Sequence, residues 1–210
     1  MRSSFYIAIE GTIGVGKTSL AKVLSERLDS RLVVEEFEQN PFLEDFYNDP
    51  NSYAFQTQIF FLLNRYRELS QLSQRELFSQ TCVSDFILAK DKIYAYLHLD
   101  DTELMLYEKI YLPLASELSP PELIIYLQAS PPVLMKRLRQ QTTTFQPNED
   151  DLANIVRAYD YFFFHYSQTP LLVVNCSEVD FSSPKTDLTD LLQEIQLMPG
   201  GTRFYVPTLD

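Results

Sequence analysis

Phe5-Tyr6-Ile7-Ala8-Ile9 is a short apolar run rich in β-formers, the pattern of a buried parallel strand. From about Lys17 to Leu28, Leu20, Val23, Leu24 and Leu28 recur on one face and predict a helix. Arg31-Leu32-Val33-Val34 reads as a second strand. Over residues 52–78, Phe55, Ile59, Leu62, Leu63, Tyr66, Leu69 and Leu72 recur at intervals of mostly three and four, the spacing of a long helix. Thr81 to Ser84 is a third strand, followed by a helical region over about 86–117 that breaks at His98-Leu99-Asp100-Asp101. Ser119-Pro120-Pro121 punctuates the chain before a fourth strand, Leu123 to Leu127, and a helix over Pro132 to Gln141. Gln140 to Asp150 is polar, lacks periodicity and reads as a mobile loop. A very aromatic helix is predicted over 151–166, a fifth strand over Leu171 to Val174, and a last amphipathic helix over 184–195. Gly200-Gly201 reads as the start of a loose tail ending in Asp210. Strands alternating with helices predict an α/β fold, a five-stranded parallel sheet with helices on both faces. No internal repeat or low-complexity linker interrupts it.

The 210 residues suit one domain, or one domain with an insertion, at roughly 150 residues per domain. A formal net charge of −12 argues against a nucleic-acid binder, because phosphate-backbone affinity rests on clustered Lys and Arg. The two cysteines, Cys82 and Cys176, lie in apolar stretches and read as buried free thiols in a reducing compartment. No apolar run approaches the ~18 residues of a membrane span. The N-terminal segment lacks the pattern of a signal peptide, so a cytoplasmic protein without membrane partners is expected.

Gly11-Thr12-Ile13-Gly14-Val15-Gly16-Lys17-Thr18 matches G-x-x-x-x-G-K-[ST] in full, between a predicted strand and a predicted helix. Gly11, Gly14, Val15, Gly16, Lys17, Thr18 and Ser19 form the candidate nucleotide-binding set. Glycines let the backbone N–H groups turn inward around an anion, and the helix N-terminus adds partial positive charge. Lys17 would reach the β- and γ-phosphates of ATP, and the Thr18 hydroxyl would hold Mg²⁺.

The motif implies a nucleoside triphosphate site but does not name the acceptor. Glu35-Glu36-Phe37-Glu38 follows the second strand, where doubly wound sheets open into the ligand crevice. A carboxylate near phosphates is unfavourable unless it serves the chemistry, and a hydroxyl acceptor needs a base. Glu35 is best placed for that role, while Glu36 and Glu38 read as a solvated acidic loop.

The phosphate loop, Glu35 to Asn40 with Pro41-Phe42, Phe55 to Arg65, Asp85 to Asp91 and the final aromatic helix occur in the order of the deoxynucleoside kinase family. The chain most resembles the bacterial deoxyguanosine/deoxyadenosine kinase branch, over residues 5 to about 176. The resemblance implies a P-loop kinase fold, with a single kinase domain over 1–198, a lid near 137–150 and a tail over 199–210. It implies a homodimer paired through long helices. It also implies transfer of the γ-phosphoryl group of ATP, with Mg²⁺, to a deoxynucleoside 5′-hydroxyl, purines favoured. By the same resemblance Glu35 is the base, Tyr47 bonds the sugar 3′-hydroxyl, and Gln58 reads the base edge. Arg65 lines the base pocket, Asp91 helps discriminate the base, Asp85 lies near Mg²⁺, and Arg137, the first lid arginine, is a catalytic residue that stabilises charge in transfer together with Lys17.

Two departures stand out. An acidic-Arg-Ser motif is common after the third strand in the family, but here the stretch is Asp85-Phe86-Ile87; Lys90 reads as a solvated helix lysine, with supply of the missing charge as the alternative. The lid is depleted of arginine, with Gln and Thr after Arg139, leaving Arg139 and Arg157 as candidate substitutes. Two alternatives stay open. One is a nucleoside monophosphate kinase of the thymidylate type, which the acidic stretch after the second strand opposes. The other is a weakly catalytic nucleotide-binding subunit, paired as a heterodimer with a paralogous kinase. His98 and His165 are too far apart in sequence to suggest a zinc site with the two cysteines.

Overall fold

The computed structural model describes residues 5–73, 81–140, 147–179, 181 and 188–207. Six parallel strands form one sheet: β1 (Tyr6–Gly11), β2 (Arg31–Val33), β3 (Cys82–Ser84), β4 (Leu123–Gln128), β5 (Leu171–Asn175) and β6 (Thr202–Tyr205), in the order β2-β3-β1-β4-β5-β6. The helices are α1 (Lys17–Arg27), α2 (Leu43–Asn48), α3 (Pro50–Ser73), α4 (Lys90–His98), α5 (Asp101–Ser116), α6 (Pro131–Gln140), α7 (Glu149–Phe164) and α8 (Thr189–Gln196). The expected α/β architecture therefore holds, with a sixth strand added.

That strand corrects the expected tail. Gly200 and Gly201 have φ of +112° and +71°, which turns the chain back so that β6 pairs in parallel with β5 from Leu171↔Thr202 to Val174↔Tyr205. β6 is short, and its residues alternate between exposed and half-buried at the sheet edge. It therefore lacks the continuous apolar run that marks the central strands.

Strand periodicity assigns the two faces. Ile7, Ile9, Leu123, Ile125, Leu127, Leu172 and Val174 pack with Leu20 and Leu24 of α1, Leu134 and Leu138 of α6 and Leu191 of α8. Ala8, Ile124, Tyr126, Leu171 and Val173 point the other way, against Ile93 of α4 and Ile155, Tyr159 and Phe163 of α7. On that second side, α3 and α5 close over β3 through Leu62, Leu69, Phe86, Tyr107 and Tyr111. Most of the aromatic residues at the end of the chain's third quarter are core packing: Tyr126 stacks on Phe163 with centroids 4.2 Å apart.

The break expected near residue 98 is a capping box. Asp100 Oδ1 accepts the N–H groups of Thr102 and Glu103, each at 2.8 Å, and Glu103 Oε2 accepts the Asp100 N–H at 3.2 Å. α7 starts at Glu149, two residues before the expected start. There Asn148 Oδ1 accepts the Asp151 N–H at 2.8 Å, and three acidic residues fill the first turn. Residues 74–80, 141–146 and 182–187, which carry the end of the expected long helix, most of the expected lid loop and the start of the expected last helix, lie outside the described residues. Among the described residues, no helix is long and apolar enough to cross a membrane.

Candidate active site

The phosphate loop runs from the carboxyl end of β1 into α1. Gly14 has φ +80°, and a Cβ there would stand 2.9 Å from Cγ of Leu138, so the loop can lie against α6 only with glycine at this position. Gly16 takes φ +104° as the residue before α1, turning the chain into the first helical N–H groups. Lys17 bridges the loop, its Nζ donating to the Thr12 carbonyl at 3.1 Å. Desolvation of its ammonium, together with the like charge of Lys90, pushes the Lys17 pKa down to about 8 against the pull of Glu10, Glu35 and Asp85.

Asp85, just beyond β3, joins the loop to the acceptor side. Its Oδ2 accepts the Thr18 hydroxyl at 2.5 Å, and its Oδ1 accepts the backbone N–H of Glu35 at 2.8 Å. This places the candidate metal-holding pair together and fixes the backbone of Glu35 at the end of β2. Among the described residues no cluster of three or more His, Cys, Asp or Glu could hold a metal ion. A hydroxyl and one carboxylate nevertheless suit Mg²⁺, which takes few protein ligands and fills its shell with substrate phosphates and water.

Glu35 carries cations on both oxygens. Arg65 of α3 reaches Oε1 through Nε at 2.7 Å and Nη2 at 2.6 Å, and Lys90 of α4 pairs with Oε2. Burial alone would raise the Glu35 carboxyl, but Arg65 and Lys90 overcome it and hold the group well below the usual carboxylate range. Lys90 is only 5% exposed, which removes the reading of a solvated helix lysine.

Behind Arg65 lies the candidate base-reading set. Arg65 Nη1 pairs with Asp91 Oδ2, and Gln58 Nε2 donates to Asp91 at both Oδ1 and the main-chain carbonyl, each at 3.0 Å. Gln58 and Arg65 are two helical turns apart on the buried face of α3, and Asp91 meets them from the first turn of α4. Burial raises the Asp91 carboxyl, opposed by Arg65. Tyr47, on α2, sits beside Phe46 and within electrostatic reach of Tyr94, and its hydroxyl is pushed up by burial. The cavity at Glu35, lined also by Glu36, Phe61, Asn64, Arg67, Glu68 and Phe86, measures about 20 Å³. Typical ligand sites span about 300–1,000 Å³, so this cavity, which none of Tyr47, Gln58 and Asp91 lines, is not a nucleoside-sized pocket.

Arg137 comes to the phosphate loop in an unexpected way. Its guanidinium donates to the carbonyls of Val15 (3.2 Å), Cys176 (2.7 Å) and Val179 (2.9 Å), bracing the loop from α6. Arg139 is exposed and 3.4 Å from Glu149, and Arg157 is exposed beside Asn154.

Glu10 was not among the residues singled out from sequence. It is fully buried at the end of β1, accepting the Ile87 N–H at 2.8 Å and its neighbour Gly11 N–H at 3.2 Å. Burial raises its carboxyl against the attraction of Lys90 and Lys17. Its signal in the sequence is a charged residue closing an apolar strand directly before the first loop glycine.

Comparison with known proteins then bears on the family. The deoxynucleoside kinase family model matches residues 7–198. The deoxyguanosine kinase of Bacillus subtilis is 31% identical over 203 residues, covering 93% of this chain and 98% of that protein. The deoxyadenosine kinase of Dictyostelium discoideum is 33% identical over 181 residues, covering 82% and 73%. Among solved structures, the deoxyadenosine kinase from M. mycoides with the products dCMP and a flexible dCDP bound superposes with a TM-score of 0.72 at 25% identity, covering 91% of this chain and 97% of that one.

Proposed function

The chain belongs to the deoxynucleoside kinase family, and from that premise we propose that it moves the γ-phosphoryl group of ATP onto the 5′-hydroxyl of a deoxynucleoside, with purine deoxynucleosides preferred. The observation that carries this reading is the double hold of Asp85, on the Thr18 hydroxyl with one oxygen and on the Glu35 N–H with the other. One carboxylate thereby registers a candidate base against the loop that grips the donor. The new bond joins the 5′-oxygen to the γ-phosphorus, the bond to the ADP oxygen breaks, and Glu35 takes the hydroxyl proton.

Thr18 and Asp85 are the residues that would hold Mg²⁺. When bound, the ion would neutralise charge on the phosphates. Lys17 offers its ammonium to the phosphates, and Arg137 keeps the loop in shape through the Val15 carbonyl. Tyr47 is assigned to the sugar, and Gln58, Arg65 and Asp91 to the base, where the side-by-side donor and acceptor of the Gln58 amide suit a base edge. The purine preference is supported by the names of the relatives, deoxyguanosine kinase and deoxyadenosine kinase. The acidic stretch Glu35-Glu36-Phe37-Glu38 after β2 favours a neutral nucleoside over a nucleotide already carrying phosphate.

We also read the outer face of α4 and α5 as the site where a second copy docks. A groove of about 380 Å³ there is lined by Tyr96, Met105 and Leu112, each more than half exposed. A cytoplasmic setting fits the buried free thiols of Cys82 and Cys176.

Incubation with γ-labelled ATP, Mg²⁺ and each deoxynucleoside or deoxynucleoside monophosphate tests the proposal. Label appearing on deoxyguanosine or deoxyadenosine supports it. Label confined to the monophosphate acceptors, or no transfer at all, contradicts it.

A further inference from the structure

Two tyrosine hydroxyls, those of Tyr107 and Tyr159, are enclosed in the protein yet make no hydrogen bond of normal geometry among the described residues. Burying a hydroxyl without a partner costs free energy, and phenylalanine would supply the same ring without that cost. Such a group in a folded protein calls for an explanation, and a partner that arrives with the ligand is one. Tyr107 lies beside the Asp91 carboxylate, which offers it an acceptor. Beside Tyr159 stands another phenol, that of Tyr94, and the two rings meet edge to face with centroids 6.1 Å apart.

Tyr159 lies on the buried face of α7 and is 0% exposed. Its ring is held over the sheet by stacking with Tyr126 of β4 (6.5 Å) and Phe163 of α7 (6.3 Å). The side chain is within electrostatic reach of Glu10 and Glu35, and of Arg65. Glu10 ends β1 at the phosphate loop, and Glu35 follows β2. These two carboxylates bound the place where the donor loop meets the acceptor, the end assigned to the sugar 5′-hydroxyl. Tyr94 is also within electrostatic reach of Tyr47 on α2, the residue assigned to the 3′-hydroxyl. Phenols from α2, α4 and α7 thus lie around the region assigned to the sugar.

We propose that Tyr159 orients the acceptor: its hydroxyl donates a hydrogen bond to the 5′-oxygen of the bound deoxynucleoside. The inference rests on the deoxynucleoside being the acceptor and on Glu35 being its base. A hydroxyl has one hydrogen and two lone pairs. The hydrogen is directed at Glu35, one lone pair accepts the Tyr159 hydroxyl, and the other is left to face the γ-phosphorus. Rotation of the 5′-hydroxymethyl group is thereby fixed in a geometry suited to attack. A phenol fits this place because it is a neutral donor and adds no further cation beside Glu35, which Arg65 and Lys90 already hold. Burial keeps the Tyr159 hydroxyl protonated, so the hydrogen is there to be donated.

The test compares wild type and Tyr159→Phe by calorimetric titration with deoxyguanosine and deoxyadenosine, each against its 2′,5′-dideoxy counterpart, which lacks the 5′-hydroxyl. Tyr159→Phe is expected to weaken deoxynucleoside binding by roughly 2–13-fold, the range of one hydrogen bond. Binding of the 2′,5′-dideoxy compounds is expected to be the same in both proteins, since the group that the phenol would meet is missing. Without ligand, the melting temperature of Tyr159→Phe is expected to equal or exceed that of the wild type, because the variant buries no hydroxyl in want of a partner. Equal deoxynucleoside affinity in the two proteins overturns the proposal and leaves Tyr159 a packing residue. An equal loss for the deoxynucleosides and the 2′,5′-dideoxy compounds also overturns it, because the bond then goes to another part of the ligand. A lower melting temperature without ligand overturns it as well, since the hydroxyl is then bonded within the free protein. Failure of the wild type to bind either deoxynucleoside would remove the acceptor reading itself, and the inference with it.

Discussion

Thr18 and Asp85, 67 residues apart in sequence, are joined by a hydroxyl–carboxylate hydrogen bond of 2.5 Å. Asp85→Asn keeps the size of the side chain but removes its charge, leaving a weaker partner for a divalent cation. The expected result is a higher Mg²⁺ requirement and kcat lower by roughly 10²-fold. Turnover measured across a Mg²⁺ titration checks it, and an unshifted titration would separate Asp85 from the metal.

How much of this was readable beforehand depends on whether chemistry demanded contiguous residues. The phosphate loop was legible because its glycines and Lys17 must sit at fixed spacing. Glu35 was legible because strand ends in a doubly wound sheet face the crevice. The contact of Gln58 and Arg65 with Asp91 joins α3 to α4 across 33 and 26 residues, and periodicity alone cannot supply that. α2 went unread because its six residues bury none of their side chains fully. β6 went unread because a four-residue edge strand after two glycines looks like a tail. The burial of Lys90 is not legible in sequence, because it depends on α3 packing against α4.

Lys17 links nucleotide affinity to pH. Its pKa is pushed down to about 8 by burial and Lys90, whereas bound phosphates favour the charged ammonium. The free loop therefore loses its proton as pH rises through about 8, and ATP must restore it. Affinity for ATP is expected to fall above that pH, with net uptake of roughly half a proton on binding near pH 8. Calorimetry in two buffers of different ionisation enthalpy measures the uptake, and none at pH 8 would contradict the expectation.

Arg65 holds two buried carboxylates, Glu35 and Asp91, and lies 4.9 Å from the Phe61 ring centroid. Arg65→Met strands Asp91 in a fully buried site, a loss of about 3–5 kcal/mol in stability. Combining Arg65→Met with Asp91→Asn removes the orphan charge and is expected to recover part of that loss. Urea unfolding of the two singles and the double measures the coupling. Additive losses would mean that Arg65 and Asp91 do not depend on one another.

Met105 and Leu112, seven residues apart on α5, are 53% and 56% exposed on the face read as the docking site for a second copy. Met105→Glu with Leu112→Glu places like charges on that face. Light scattering is expected to give the mass of a dimer for the wild type and of a monomer for the variant. A dimer in both would move the interface elsewhere.

The most direct measurement is a rapid-quench single turnover of deoxyguanosine and deoxyadenosine with γ-labelled ATP, comparing the wild type with Glu35→Gln after thermal melts have established that both are folded. A labelled 5′-monophosphate is expected from the wild type, with Glu35→Gln slower by about 10²–10⁴-fold. Equal rates in the two proteins, or label that never reaches the 5′-oxygen, would contradict a phosphoryl transfer in which Glu35 receives the proton.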